Sequence, residues 1–259
     1  MGAWDHRLLH HNFYDAAQTR GQRRPARPAA CCMELATIVE TCSVARLWTS
    51  QNVNEALWNA LVHCPLLKLA LYPPVEEPST SDANLVSTRP RTDCVPRNVY
   101  GDMLESKLVD SWLAISDNEM LDAALRTVQA ASPRGSGYIS VSIETKMQSG
   151  SSETALTQLS AWAACHLERL RALRRFKAEM QGQVLEHEGR ISIALPLLAA
   201  VGTTWKLFFA ADLENEIAIV HTITLGDIEQ LVGCYQVGAA LRELAHWPET
   251  TFRAWLIEM

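Results

Sequence analysis

Residues 138–146 read YISVSIETK, a strict alternation that constrains the fold more than any other stretch of the chain. Ile139, Val141, Ile143 and Thr145 share one face of a β-strand; Tyr138, Ser140, Ser142, Glu144 and Lys146 share the other. The segment predicts a strand that ends in a carboxylate and an ammonium two positions apart. Such an ending has two readings. It is a metal-dependent site at a strand terminus, or it is a charged strand edge turned to solvent.

The surrounding pattern supplies the rest of a mixed α/β domain. ELATIVETCSVARLW (34–48) and NVNEALWNALVHCPLLKLAL (52–71) have helical periodicity. In the second, Val53, Leu57, Ala60, Leu61, Cys64, Leu67 and Leu71 form one apolar stripe. Residues 73–100 are rich in Pro, Ser, Thr and Asp and read as a long loop; KLVDSWLAI (107–115) reads as a strand and NEMLDAALRTVQAA (118–131) as a helix. A helix is expected over 153–177, its RLRALRRFK end forming a solvated basic terminus. RISIALPLLAAVG and TWKLFFAADL read as strands joined at Gly202, with Pro196 suggesting an edge or a bulge. EIAIVHTITLG is a further strand, and Asp227 and Gln230 stand at capping-box spacing before a last long helix that Pro248 punctuates.

At 259 residues, 48% hydrophobic, the chain can bury a substantial core; one large domain is expected, with two small ones the alternative. The expected division is a disordered basic tail over 1–30, containing TRGQRRPARPAA, and one folded domain over 31–259. Seven cysteines without a CxxC pair support neither a zinc ribbon nor a disulfide framework. With no long apolar run and no secretory leader pattern, an intracellular protein, cytoplasmic or nuclear, is expected, with no membrane partner. A net charge of −6 opposes tight nonspecific binding of nucleic acid, which depends on neutralising phosphates.

Metal-dependent hydrolysis of a phosphodiester needs hard oxygen ligands and a group that orients water. Asp110 near one strand end, Glu144 at the next and Lys146 on the same face as Glu144 fit that requirement, with the carbonyl between Glu144 and Lys146 as a further oxygen.

Several ordered segments carry a resemblance beyond this tripeptide: E-x-x-W-N-x-x-V-H at Glu55–His63, the I-E-T-K core, and Q-L-x-x-W at Gln158–Trp162. Together they resemble the PD-(D/E)XK nuclease-like proteins abundant in filamentous fungi, over residues 34 to 257. Val109 stands before Asp110 where the family's name has proline, and AASPRGSG replaces the Asn-His-Thr-like segment expected before the active-site strand. The resemblance implies a restriction-endonuclease-like fold, a mixed central sheet flanked by helices. It implies Asp110 and Glu144 as ligands of Mg²⁺ or Mn²⁺, Lys146 as the catalytic lysine, and Glu55 and Gln158 as further catalytic residues. Each has a plainer reading: Glu55 completes a helix cap begun by Asn52, Gln158 and Trp162 are a packed helix face, and His63 is a satisfied interior histidine. Three functions follow: a nuclease acting on DNA or RNA, a small-molecule enzyme of secondary metabolism built on the same fold, or a catalytically silent interaction module.

Overall fold

The computed structural model describes residues 28–51, 53–71, 86–88, 111–115, 138–183, 190–213 and 215–259. The expected tail, the loop over 73–100, the helix over 118–131 and the strand residues 107–110, Asp110 among them, lie wholly or largely outside the described residues.

Helix α1 (Pro28–Thr49) is followed by α2, a continuous helix in three parts, Glu55–Trp58, Asn59–His63 and Cys64–Leu71, the middle one π-helical. Strands β1 (Val86–Thr88), β2 (Ser111–Ile115) and β3 (Tyr138–Lys146) come next, then α3 (Ser152–Gln181). Strands β4 (Leu195–Val201), β5 (Thr204–Asp212) and β6 (Ile217–Asp227) lead into α4 (Leu231–Trp247). The chain continues through a π-helical turn, Pro248–Phe252, into α5 (Arg253–Glu258).

The strands form one sheet in sequence order, β1-β2-β3-β4-β5-β6. Its pairs are antiparallel except β3 and β4. A parallel pair needs a crossover, and α3 supplies it. Ser151 starts that helix, its hydroxyl oxygen accepting from the backbone N–H of Glu153 and Thr154 at 3.2 and 3.3 Å.

The sheet is covered on both faces. On one, Val141, Ile143, Leu198, Trp205 and Leu207 pack against Ile38 of α1, Trp58, Val62 and Leu66 of α2, and Val237 and Leu241 of α4. On the other, Leu197, Ala199, Phe208 and Ala210 pack against Leu159, Ala163, Leu167 and Leu170 of α3 and Leu256 of α5. This is the mixed sheet flanked by helices that the sequence predicts.

Several local expectations need correction. Pro196 lies in an interior strand, where it pairs with Phe209 of β5, but the ladder to β3 starts only at Leu197, so no bond on that side is lost. The stripe expected on α2 is turned: Leu57 and Leu61 are 44% and 50% exposed, while Trp58, Val62 and Leu66 are buried. The cause is Asn59, which is bonded to β3; residues two positions away lie about 200° around a helix and face outward. Asp227 does not box the last helix. Its carboxylate accepts from the N–H of Glu229 at 2.9 Å, and the helix begins later, at Leu231, with no side-chain cap. The basic end of α3 is solvated only in part: Arg175 is exposed, but Arg171 pairs with Asp212, Arg174 donates to the carbonyl of Arg190, and Lys177 to that of Ile257.

The Arg171 pair is buried at Asp212, which is 0% exposed and also accepts from the N–H of Ile191 at 2.8 Å. This hydrogen bonding to Asp212 raises the Arg171 pKa, partly offset by burial. Among the described residues, Cys31, Cys32, Cys42, Cys165 and Cys234 are free thiols. No helix among the described residues is long and apolar enough to cross a membrane.

Candidate active site

Glu144 is not on a solvated strand edge. It is 1% exposed, and Ser140 and Ser142 on the same face are also buried. A solvated edge would leave these side chains wet. Instead β3 is an interior strand, and its polar face lies beneath α3, which runs back antiparallel to it after the tight turn closed by Gly150 N–H to the Met147 carbonyl at 2.8 Å.

Burying a carboxylate is costly unless its charge is compensated. Lys146 provides compensation, its Nζ 2.6 Å from Glu144 Oε1. The same ammonium lies 3.5 Å from Glu55 Oε1. Glu55 is the first residue of α2 and 37% exposed on its side chain, so the three charges meet at the rim of the sheet, graded from buried to wet. Glu55 does not complete a cap begun by Asn52. The cap is Asn54, whose side-chain oxygen accepts from Leu57 N–H at 3.0 Å, which leaves the Glu55 carboxylate available to Lys146.

Gln158 occupies the α3 surface over β3. His166 of the same helix is hydrogen-bonded to the backbone of Ile139 at the start of the strand. Eight helical residues back from that contact is about 12 Å, and five strand residues forward to Glu144 is about 16 Å. Gln158 thus stands over the Ser142–Glu144 stretch. Its Oε1 is buried and accepts no hydrogen bond from the described residues. Trp162 and His166, one and two turns on, also carry buried ring nitrogens without hydrogen-bond partners, at Nε1 and Nε2. Burial, aided by the Arg169 charge and opposed by the bond to Ile139, lowers the His166 pKa to about 3, so this ring is neutral.

Asp110 lies outside the described residues. Its neighbour Ser111 pairs with Ile143, the residue before Glu144. His63 is an interior histidine, 0% exposed, with Nδ1 2.9 Å from Asn59 Oδ1 and Nε2 2.9 Å from the Gly202 carbonyl oxygen. Trp58 stacks on one side of it and Trp205 meets it edge-on. Asn59 and Thr145, joined at 2.6 Å, are residues that sequence reasoning passed over, although both lie inside the motifs that carried the resemblance.

The family model of the PD-(D/E)XK nuclease superfamily matches residues 4–253. The chain belongs to this superfamily. Searches of curated proteins and of solved structures each returned no match. Superfamily membership carries nuclease-like phosphodiesterase chemistry, for which such enzymes typically use divalent metals. The residues present suit such an ion in kind: carboxylates and an amide oxygen are the hard donors that Mg²⁺ and Mn²⁺ take. Among the described residues, however, no group of three or more His, Cys, Asp or Glu is placed to hold a metal.

Proposed function

We propose that this protein is a metal-dependent phosphodiester hydrolase, a nuclease acting on DNA or RNA, of the kind found among fungal members of the superfamily. The observation that carries the proposal is the buried Glu144 carboxylate at the end of an interior strand, 2.6 Å from the Lys146 ammonium. A strand-end acid and lysine under helical cover are expensive to bury, and a chemical task accounts for that expense.

In this reading Asp110, Glu144 and the Thr145 carbonyl hold Mg²⁺ or Mn²⁺. The ion supplies Lewis-acid stabilisation of the phosphate charge and an activated water. Lys146 donates hydrogen bonds to the attacking oxygen and to charge developing on the phosphate. Glu55 holds that ammonium from the solvent side. Gln158 Oε1 accepts from water brought to the site.

The small-molecule reading would be favoured by a deep apolar pocket. A cavity of about 250 Å³ near the β3–α3 turn, lined by Thr49, Gln51, Val53, Trp58 and Gln148, is smaller than sites for drug-sized ligands.

The test is cleavage of DNA and RNA by purified protein with Mg²⁺ or Mn²⁺. Wild type should cleave, and Lys146→Ala should lose cleavage while remaining folded. Binding of substrate should weaken steeply with salt as phosphate contacts release counterions. A folded wild type that cleaves neither polymer and binds neither in a salt-dependent way overturns the proposal.

A further inference from the structure

We infer that Asn59 and His63 are positioning residues for this site, through a closed ring of polar contacts that holds the Glu144–Lys146 segment against α2. The inference rests on the reading of Glu55, Glu144 and Lys146 as the active centre.

The ring can be followed residue by residue. Thr145 Oγ1 donates to Asn59 Oδ1 at 2.6 Å. Asn59 Oδ1 lies 2.9 Å from His63 Nδ1, and the Gly202 carbonyl oxygen 2.9 Å from His63 Nε2; both oxygens accept, so a neutral imidazole donates to one of them and stands in polar contact with the other. Gly202 N–H donates to the Lys146 carbonyl at 2.8 Å. Lys146 is bonded to Thr145, so the ring closes. It ties together α2, the end of β3 and the turn between β4 and β5.

Its consequence for the site follows from strand geometry. Thr145 stands between Glu144 and Lys146, and side chains alternate across a strand, so it points opposite to both. Fixing Thr145 on the α2 side fixes the rotation of the strand at its end, and with it the direction of both charged side chains. Asn59 lies one helical turn beyond Glu55, so the same bond sets where Glu55 stands relative to Lys146. Thr145 and His63 are buried, at 2% and 0% exposure, where solvent does not replace a lost partner. The π-helical geometry of Asn59–His63 serves the same contact, presenting Asn59 and His63 together.

The experiment compares Asn59→Leu, which keeps volume and loses the polar atoms, with Asn59→Asp, which keeps the oxygens. Three readouts are taken on folded protein, checked by urea unfolding. Asn59→Leu should lower kcat by about tenfold or more with a smaller change in KM, and weaken Mn²⁺ binding by a similar factor in calorimetry. Asn59→Asp should restore both to within about threefold of wild type. The third readout needs neither activity nor metal: the rate at which an acylating reagent modifies Lys146, followed by mass spectrometry. Asn59→Leu should raise that rate about tenfold while leaving Lys177 unchanged, because freeing the strand end releases the ammonium from its two carboxylates.

A folded Asn59→Leu with wild-type Lys146 acylation overturns the inference. A wild type that neither cleaves nor binds Mn²⁺ overturns the proposed function alone, since the Lys146 readout still decides the ring. If Asn59→Leu fails to fold, His63→Gln is measured in its place, and wild-type Lys146 reactivity there is equally decisive.

Discussion

Gly202→Ala tests how tightly the β4–β5 turn is packed onto the candidate site. Gly202 has φ +55, in the left-handed region, within a two-residue turn between the paired Val201 and Thr204. An L-residue there costs about 1–2 kcal/mol in backbone conformation alone. The added Cβ would also stand 1.8 Å from Gln148 Oε1 and 2.8 Å from Gln148 Cα. The amide can swing away, at the loss of the bond it accepts from Thr203 N–H at 3.2 Å. The Cα cannot; the backbone two residues beyond Lys146 must shift. A lost hydrogen bond of about 1 kcal/mol and overpacking of about 1–3 kcal/mol therefore add to the conformational cost.

Gly182→Ala isolates these additions. Gly182 has φ +64 at the end of α3, and nothing lies within 4 Å of a Cβ built there. Both substitutions carry the same backbone cost, and the same stabilising loss of entropy in the unfolded chain. Their difference in urea unfolding free energy should be about 2 kcal/mol or more, with Gly202→Ala the less stable. In a nuclease assay only Gly202→Ala should also lose rate. Equal destabilisation, within about 0.5 kcal/mol, would refute the packing of this turn on the strand end.

Two further substitutions probe the frame around the site. His166 has its pKa lowered from 6.5 to about 3, so as pH falls through that window the unfolded chain takes up a proton that the folded one refuses, and stability is lost. The loss from this residue should be about 2 kcal/mol by about pH 5, and His166→Gln should show a correspondingly shallower acid slope in urea midpoints; identical slopes would refute it. Asp212→Asn leaves Arg171 facing a neutral amide in a buried site and should cost about 3–5 kcal/mol of unfolding free energy, a value below about 1 kcal/mol contradicting the buried pair.

The sequence made β3 legible as a strand because alternation is a property of neighbouring residues. It did not make β3 legible as an interior strand. Alternation leaves open whether the face of Ser140 and Ser142 is wet or covered, and it is the crossover through α3 that buries them. The α2 stripe failed for a related reason. Apolar spacing is blind to one strong polar contact, and the Asn59 bond to Thr145 turns Leu57 and Leu61 outward. Glu55, Glu144 and Lys146 were found through ordered motifs. Their contacts join positions 55, 144 and 146 through tertiary structure that periodicity does not report. The ring through 59, 63, 145 and 202 is more hidden still, for it joins three separate stretches of chain.

The balance of charge at the described site bears on how a polyanion would be received. Glu55 and Glu144 flank one ammonium, so the described cluster carries one more negative charge than positive. The whole chain is negative as well, at −6. A phosphate approaching Lys146 therefore meets an ammonium already shared between two carboxylates, with Glu144 the nearer and the more deeply buried of the two. Attraction of the substrate cannot rest on Lys146 alone. Glu144 would hold a divalent ion in the proposed nuclease, and such an ion would reverse the sign of the local charge and take a share of the carboxylate that Lys146 now pairs with. Glu55, on the solvent side, would then keep the ammonium at the rim, beside an approaching phosphate.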